Sequence, residues 1–517
     1  MTKRFAAPAV ALTCALLLGP ASLAQRPATA WNQTLDRIST GVVSIRVDST
    51  RAFDTDWNQS TQATGFVVDA ERGLILTNRH VVTAGPVVAQ AVFLNHEEVD
   101  LKPVYRDPVH DFGLFRYDPQ DLRFIQPQEL KLNADGALVG REIRVVGNDA
   151  GEQISILAGT LAKLDRQAPD YGRGKYNDFN TFYLQAASGT SGGSSGSPVI
   201  DVDGHVVALN AGGSSGAQSS FFLPLDRIER ALSLIKQGED VPRGTLQTEF
   251  IHRPFDELRR LGLNPDTERT ARDTGTRTGM LTVGQVVPGS PADGVLQSGD
   301  ILVSVNEKLV TTFVPLAELL DANVGSPVNV VFERGGQRQT HAINVTDLHA
   351  ISPAEFIEVG EAVVHRLSYQ QARHFNMPTA GVYVANPGYM FGTAAIPRGA
   401  VISAVEGIPT PDLDAFEEVL ETLGDGDRAT VRFYTYEDPR NSSVRVVRMD
   451  RRWFRSQRCG RDDALGSWPC RPLAAGPDSA PAEPATVRFS EYDDPRSRAL
   501  APSLVRVNFD MPYTAPG

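Results

Sequence analysis

Between residues 40 and 240 the chain repeats one device, a short run of β-branched and apolar residues closed by Gly, Asp or Asn. GVVSIRVDS, ATGFVVDAERGLILTN, VVAQAVFLN, DFGLFRYD, REIRVVGN, FYLQAA and GSPVIDVDGHVVALNAGG all follow it. Many short strands at such spacing bury their apolar face only by closing into a sandwich or barrel. The segment LDRIERALSLIKQG carries apolar residues at helical spacing with Gly after them, so a helix ends this region. The predicted β-rich domain spans 31–240.

A chain of 517 residues exceeds one hydrophobic core, and domains usually run to ~100–200 residues. After the linker EDVPRG, residues 244–347 mix strands (TLQTEFI, DILVSVN, PVNVVFERG) with helices (PFDELRRLGL, PLAELLDAN). Residues 352–455 repeat that order more loosely, with AVVHRL, SYQQARHFN, AVISAVEG, DLDAFEEVLETL and SVRVVRMD. Both are α+β units. Residues 456–500 are rich in Pro, Ala, Asp and Arg and read as a linker. SLVRVNFDM (503–511) reads as a strand whose VRVN echoes IRVD at 45–48. Residues 501–517 then either begin a second β-rich domain or add a strand to an existing sheet.

Lys3 and Arg4 precede the apolar run FAAPAVALTCALLLG, and Ser22 and Ala24 supply small residues. That pattern predicts a signal peptide over 1–24, hence export to a periplasm or the medium. The run is too short for a ~20-residue span, and no stable membrane span is expected. Cys14 would leave with the leader. Cys459 and Cys470 have the wrong spacing for a zinc pair. Export permits a disulfide between them, and a local bridge and two free thiols both remain open. The net charge of −12 argues against nucleic acid, whose phosphates need a basic surface.

Three motifs in the β-rich domain carry chemistry. TNRHVV offers His80, HDFGLF offers Asp111 and GSSGSP offers Ser195. A serine hydroxyl is a weak nucleophile and needs a base to take its proton. His80 would be that base, and Asp111 would fix its tautomer and stabilise the imidazolium. The glycines beside Ser195 would bring backbone close to the substrate, so that the amides of Gly193 and Ser195 form an oxyanion hole. The same letters fit G-x-S-x-G with Ser194 as nucleophile, but that motif needs a strand-to-helix turn. Here a strand hairpin follows instead.

TNRHVV, HDFGLF and GSSGSPVID resemble the HtrA/Deg family of trypsin-like serine proteases with PDZ domains. GSPADGVLQSGDILVSVNEKLV (289–310) looks like a PDZ core, and IPRGAVISAVEGIPT (396–410) like a looser one. DLHAISPAEFIEVG and LSYQQAR resemble a long tandem-protease branch known from fungi and plants. The resemblance implies an all-β chymotrypsin-like double barrel followed by two PDZ-like domains. It implies an ATP-independent endopeptidase that cleaves unfolded or damaged proteins without metal or nucleotide cofactor. PDZ units would dock peptide segments, and a homo-oligomer is expected of the family.

The sequence departs from the family at three places. Ser194 and Ser197 stand where the family's G-N-S-G-G has Asn and Gly. Gln247 stands where the carboxylate-binding loop, here Gly244, Thr245, Leu246 and Gln247, usually has Gly. These departures motivate an alternative, a catalytically weak or inactive scaffold that binds peptides. In the substrate pocket Gly189 supplies no acid for a Lys or Arg side chain. Asn210, Ala211 and Gly212 would line the other wall, and a small or aliphatic P1 residue is implied. Arg173 and Lys175 fall where the family has a regulatory loop.

Overall fold

Alternating sequence becomes alternating burial where a strand has one face on a core. In β5 (below) every other residue of EVDLKP is buried, as a strand with one face on a core requires. The computed structural model describes residues 26–148, 154–187, 189–214, 219–474, 476 and 492–504. The expected leader and most of the expected strand at 503–511 lie outside them.

Helix α1 (Arg26–Ile38) leads into β1 (Val42–Ser49), β2 (Ser60–Asp69) and β3 (Leu74–Thr77). A single turn, α2 (Arg79–Val82), separates these from β4 (Val87–Val92), β5 (Glu98–Arg106) and β6 (Gly113–Arg116). They close in the order β1-β2-β3-β6-β5-β4 around Ile45, Val67, Ile75, Phe93 and Phe115. Burying each such side chain contributes about 1.5–3 kcal/mol.

A second barrel joins β7 (Glu142–Gly147), β8 (Ser155–Gln167), β9 (Phe182–Ala186), β10 (Pro198–Ile200), β11 (Val206–Ser214) and β12 (Ser219–Leu223). Its order is β10-β11-β12-β9-β8-β7. Phe66, Leu76 and Leu114 from the first barrel share one buried cluster with Val146, Ile200 and Leu209 from the second. Helix α3 (Asp226–Gln237) seals it with Ile228, Ala231 and Leu232. The two cores are therefore welded along one line, and a crevice forms above it.

The first PDZ domain runs through β13 (Gly244–Thr245), β14 (Thr248–Pro254), α4 (Phe255–Arg260), α5 (Pro265–Asp273), β15 (Gly279–Val286), β16 (Ile301–Val305), β17 (Lys308–Leu309), α6 (Phe313–Asp321), β18 (Pro327–Arg334), β19 (Gln337–Asn344) and β20 (Thr346–Asp347). Its main sheet has the order β14-β15-β16-β18-β19, leaving β14 at the edge.

After α7 (Leu348–Ile351), the second domain holds β21 (Glu355–Val359), β22 (Ala362–Arg366), α8 (Tyr369–Phe375), β23 (Val382–Asn386), α9 (Gly388–Thr393), β24 (Ala400–Val405), β25 (Ile408–Pro409), α10 (Leu413–Glu421), β26 (Arg428–Thr435) and β27 (Asp438–Arg448). Strand β22 occupies the place that β14 holds in the first domain, but it is not an edge. The antiparallel strand β21 covers it.

Residues 456–500, expected as a linker, begin with β28 (Ser456–Gly460) and β29 (Cys470–Pro472). β28 pairs with β21, β29 pairs with β28, and Cys459 and Cys470 form a disulfide across that last pair. Pairing and cross-link hold this polar, Arg-rich stretch in the sheet where composition alone would not.

Both PDZ domains pack on the barrels. Arg243 lies between Asp107 of the first barrel (2.9 Å) and Asp321 of α6 (3.3 Å), all buried. Asp107 also accepts the amides of Val109 and His110. Burial works against its charge, but Arg243 and these amides outweigh it and bring its pKa down to about 2. The second domain reaches the β1–β2 connection. The Asp54 amide donates to His365 Nε2 at 2.8 Å, Ser368 Oγ donates to the Asp54 carboxylate at 2.5 Å, and Arg51 pairs with Glu358.

Candidate active site

Thr64 in β2 joins the two walls of the crevice. Its amide donates to Ser195 O (2.8 Å), its hydroxyl donates to Gly193 O (2.9 Å), and its carbonyl accepts from Thr77 Oγ1 (2.7 Å). Thr77 ends β3, and α2 begins two residues later with Arg79 and His80. The chain therefore sets the serine loop of the second barrel against the histidine turn of the first.

The glycines of SGGSSGSP make that approach possible. Gly196 has φ +81°, and a Cβ there would meet Thr64 O and Thr77 Oγ1, each at 2.2 Å. Gly193 has φ +93°, where other residues are strained. The run that composition alone would call a spacer is a tight turn, held by Ser197 N donating to Ser194 O and Gly196 N donating to Asn210 O. Among the described residues, the amides of Gly193 and Ser195 have no protein acceptor. Both are available to an oxyanion.

His80 Nδ1 donates to Asp111 Oδ2 at 2.8 Å and lies 3.0 Å from Oδ1. The His80 amide also donates to Oδ1 at 3.0 Å. With Nδ1 engaged, Nε2 is the nitrogen left for a proton, and the side chain is 40% exposed to the crevice. Crowding around the ring opposes protonation, but the charge and hydrogen bond of Asp111 outweigh it and raise the His80 pKa above 6.5. Among the described residues no hydrogen bond links Nε2 to the Ser195 hydroxyl. Catalytic hydrogen bonds often close only on the bound substrate.

Ser194 and Ser195 have different surroundings. Ser194 is 2% exposed, and its hydroxyl donates to Ser191 O at 2.6 Å. Ser195 is partly exposed at the crevice. Ser197 is fully buried against Gly147, where a Cβ would come within 1.9 Å of its Oγ. The extra hydroxyl at 197 is thus matched by a missing side chain at 147.

Several supporting residues carried no sequence signal. Asn78 Nδ2 donates to Asp111 O at 2.9 Å. Asp178 Oδ2 accepts the Asp111 amide at 3.0 Å and the Tyr183 hydroxyl at 2.8 Å. Burial and the nearby charge of Asp111 push Asp178 well above the usual carboxylate range. The buried Arg79 guanidinium stacks 3.7 Å over the Tyr176 ring. Asp178 and Tyr176 both belong to the loop expected to be regulatory. Arg173 and Lys175 of that loop are exposed.

Of the expected pocket residues, Asn210 is buried and donates to Ser194 O at 2.6 Å, so it braces the serine turn. Ala211 is buried, and the Cα of Gly212 faces the Tyr171 hydroxyl. Gly189 is exposed, with open space where a Cβ would stand. In the first PDZ domain, Gly244 and Thr245 pair with Asp347 and Thr346. Leu246 is buried, and the Gln247 amide donates to Thr245 Oγ1 at 2.8 Å with φ +52°. That amide is already engaged within its own loop.

Residues 63–209 match the trypsin-like peptidase domain, 282–334 the PDZ domain and 350–426 a PDZ-like domain. A pro-apoptotic serine protease nma111 of Aspergillus oryzae is 46% identical over 508 residues, covering 97% of this chain and 49% of that protein. The Aspergillus clavatus protein of the same name is 47% identical over 504 residues, covering 96% and 49%. The chain spans about half the length of the curated relatives it matches. A solved HtrA-type protease AlgW with tripeptide is 20% identical, with a TM-score of 0.46 over 61% of this chain and 97% of that one. With both barrels, both PDZ-type domains and these relatives, the chain belongs to the HtrA/Deg family of trypsin-like serine proteases with PDZ domains.

Proposed function

We propose that this chain is a serine endopeptidase of unfolded or damaged proteins. One observation carries the reading: an Asp111–His80 pair stands beside a serine turn whose Gly193 and Ser195 amides are unclaimed among the described residues. In the reaction Ser195 Oγ attacks the peptide carbonyl as His80 Nε2 takes its proton. The carbonyl oxygen gains charge and is held by the Gly193 and Ser195 amides, each such donor being worth roughly 10²–10³ in rate. His80 then gives the proton to the leaving amine, and water repeats the sequence on the acyl-enzyme. Asp111 remains ionised throughout. Ala211 and Gly212 leave room for a small or aliphatic P1 side chain. The relatives' shared name includes serine protease, in agreement with this reading. Export rests on residues 1–24, and N-terminal sequencing of the mature protein tests it.

Purified chain with casein tests the activity. Wild type cuts, Ser195→Ala does not, and Ser194→Ala keeps most of its rate because that hydroxyl faces Ser191. The peptide-binding scaffold draws support from the missing Ser195–His80 hydrogen bond. A folded wild type that cleaves no substrate under any activating condition would favour it.

A further inference from the structure

The large sheet of the second domain ends on β27, at the opposite end from β21, β28 and β29. The Met449 amide, one residue past β27, donates to Asp427 O at 2.8 Å, and Thr430 O accepts the Glu406 amide at 2.8 Å on the far side of β26. Antiparallel strands turn the backbone groups of successive residues to opposite sides. The amides of Val444, Val446 and Arg448 therefore point away from β26, and among the described residues no strand lies there. The Val444 carbonyl is met by the Arg445 side chain at 3.0 Å. The rest of this row is the kind of template onto which an extended chain adds as a strand.

The side chains of the same three residues stand on the solvent face, since Val447 and Met449 enter the core. Val444 and Val446 are 49% and 57% exposed. Arg448 lies directly opposite Arg428, and Val444 opposite Arg432. All three arginines are exposed, and among the described residues none has a carboxylate within ion-pair distance. Like charges directly opposite destabilise a strand pair, so Arg428 and Arg448 gain from an anion between them. Glu406, beside this face, is already engaged by the Thr430 amide and hydroxyl. Residues 428–455 hold eight arginines and three acidic residues in a chain of net charge −12. A second copy of β27 would set arginine against arginine, which is how charge on an edge prevents self-pairing. Nucleic acid or an anionic lipid surface would meet the arginines but offers nothing to the open backbone row.

We infer that β27 is a docking strand for an extended acidic segment of another protein. The backbone of that segment pairs with Val444, Val446 and Arg448. Its Asp and Glu side chains lie on the solvent face of the sheet, where their carboxylates meet Arg428, Arg432 and Arg448 and their aliphatic stems cover the two valines. The surface lies outside the catalytic crevice and needs no catalysis to act.

The full chain in a Ser195→Ala background, where no probe is cut, tests this with a fluorescein-labelled peptide of alternating Glu and Val. Fluorescence anisotropy is expected to show binding that weakens as salt rises and falls roughly tenfold or more in Arg428→Glu/Arg448→Glu. Arg428→Lys/Arg448→Lys keeps most of it, and the same peptide with Lys in place of Glu does not bind. Bound peptide slows hydrogen exchange at the Val446 and Arg448 amides and leaves Val447, which faces β26, at its own rate. No binding of the acidic peptide to the folded chain, or equal binding by the Glu variant, would overturn the inference. So would binding without protection of Val446 and Arg448, the result for a polyanion surface that duplex DNA or phosphatidylserine vesicles fill equally well. The exchange measurement substitutes none of these arginines, so it decides even if the Glu variant fails to fold.

Discussion

The His80 imidazole titrates against a carboxylate that two donors already hold, the His80 Nδ1 and the His80 amide, while the Asn78 carboxamide donates to the Asp111 backbone carbonyl. Protonated His80 cannot accept the Ser195 proton, so the rate falls as pH drops through the His80 pKa. Crowding of the ring lowers that pKa and Asp111 raises it by more, so the acidic limb of kcat/KM has its midpoint above 6.5. In Asp111→Asn the charge is gone and the ring can take the wrong tautomer. The expected loss is roughly 10⁴-fold in kcat, with the remaining limb moved to lower pH. A pH–rate profile of both proteins on one peptide substrate checks the sign. A midpoint below 6.5 in wild type contradicts this description of the pair.

At the scale of elements, β7 and β10 are neighbours in the second barrel, with Val199 opposite Val145. Gly147 at the end of β7 makes room for Ser197 just before β10. Gly147→Ala forces a methyl against Ser197 Oγ and Thr64 Oγ1 and is expected to destabilise by about 1–3 kcal/mol, the usual cost of overpacking. Adding Ser197→Gly removes the nearest atom and restores part of that loss, as urea unfolding of the single and double variants would show. The triad was legible because each motif sits in a turn beside a short apolar strand, LILT before His80, GLFR after Asp111 and PVI after Ser195. The tight turn at 193–196 was legible from its glycines. The packing of the first PDZ domain on the barrels was not, because Asn180 and Phe250 are 70 residues apart in sequence and pair through a side chain. Strand β28 was hidden by its composition, and the two cysteines were its sole local sign.

Across the whole molecule, the two PDZ domains approach the triad from behind. One bears on the Asp111 turn through Arg243 and Asp107, the other on Asp54 beside Arg79. Arg243→Ala leaves Asp107 and Asp321 buried without their common partner. Breaking a buried pair typically costs about 3–5 kcal/mol. Arg230→Ala, whose side chain is 31% exposed against the same Asp321, should cost no more than about 1 kcal/mol. Thermal unfolding of the two variants separates a structural weld from surface decoration. Family and domain order were readable from local motifs, but this convergence depends on contacts between segments hundreds of residues apart.

Labelling with a diphenyl phosphonate bearing a small aliphatic P1 group, followed by peptide mapping, tests the central claim most directly. The expected adduct sits on Ser195 alone and is lost in His80→Ala. An adduct on Ser194, or none on a folded wild-type chain, contradicts it.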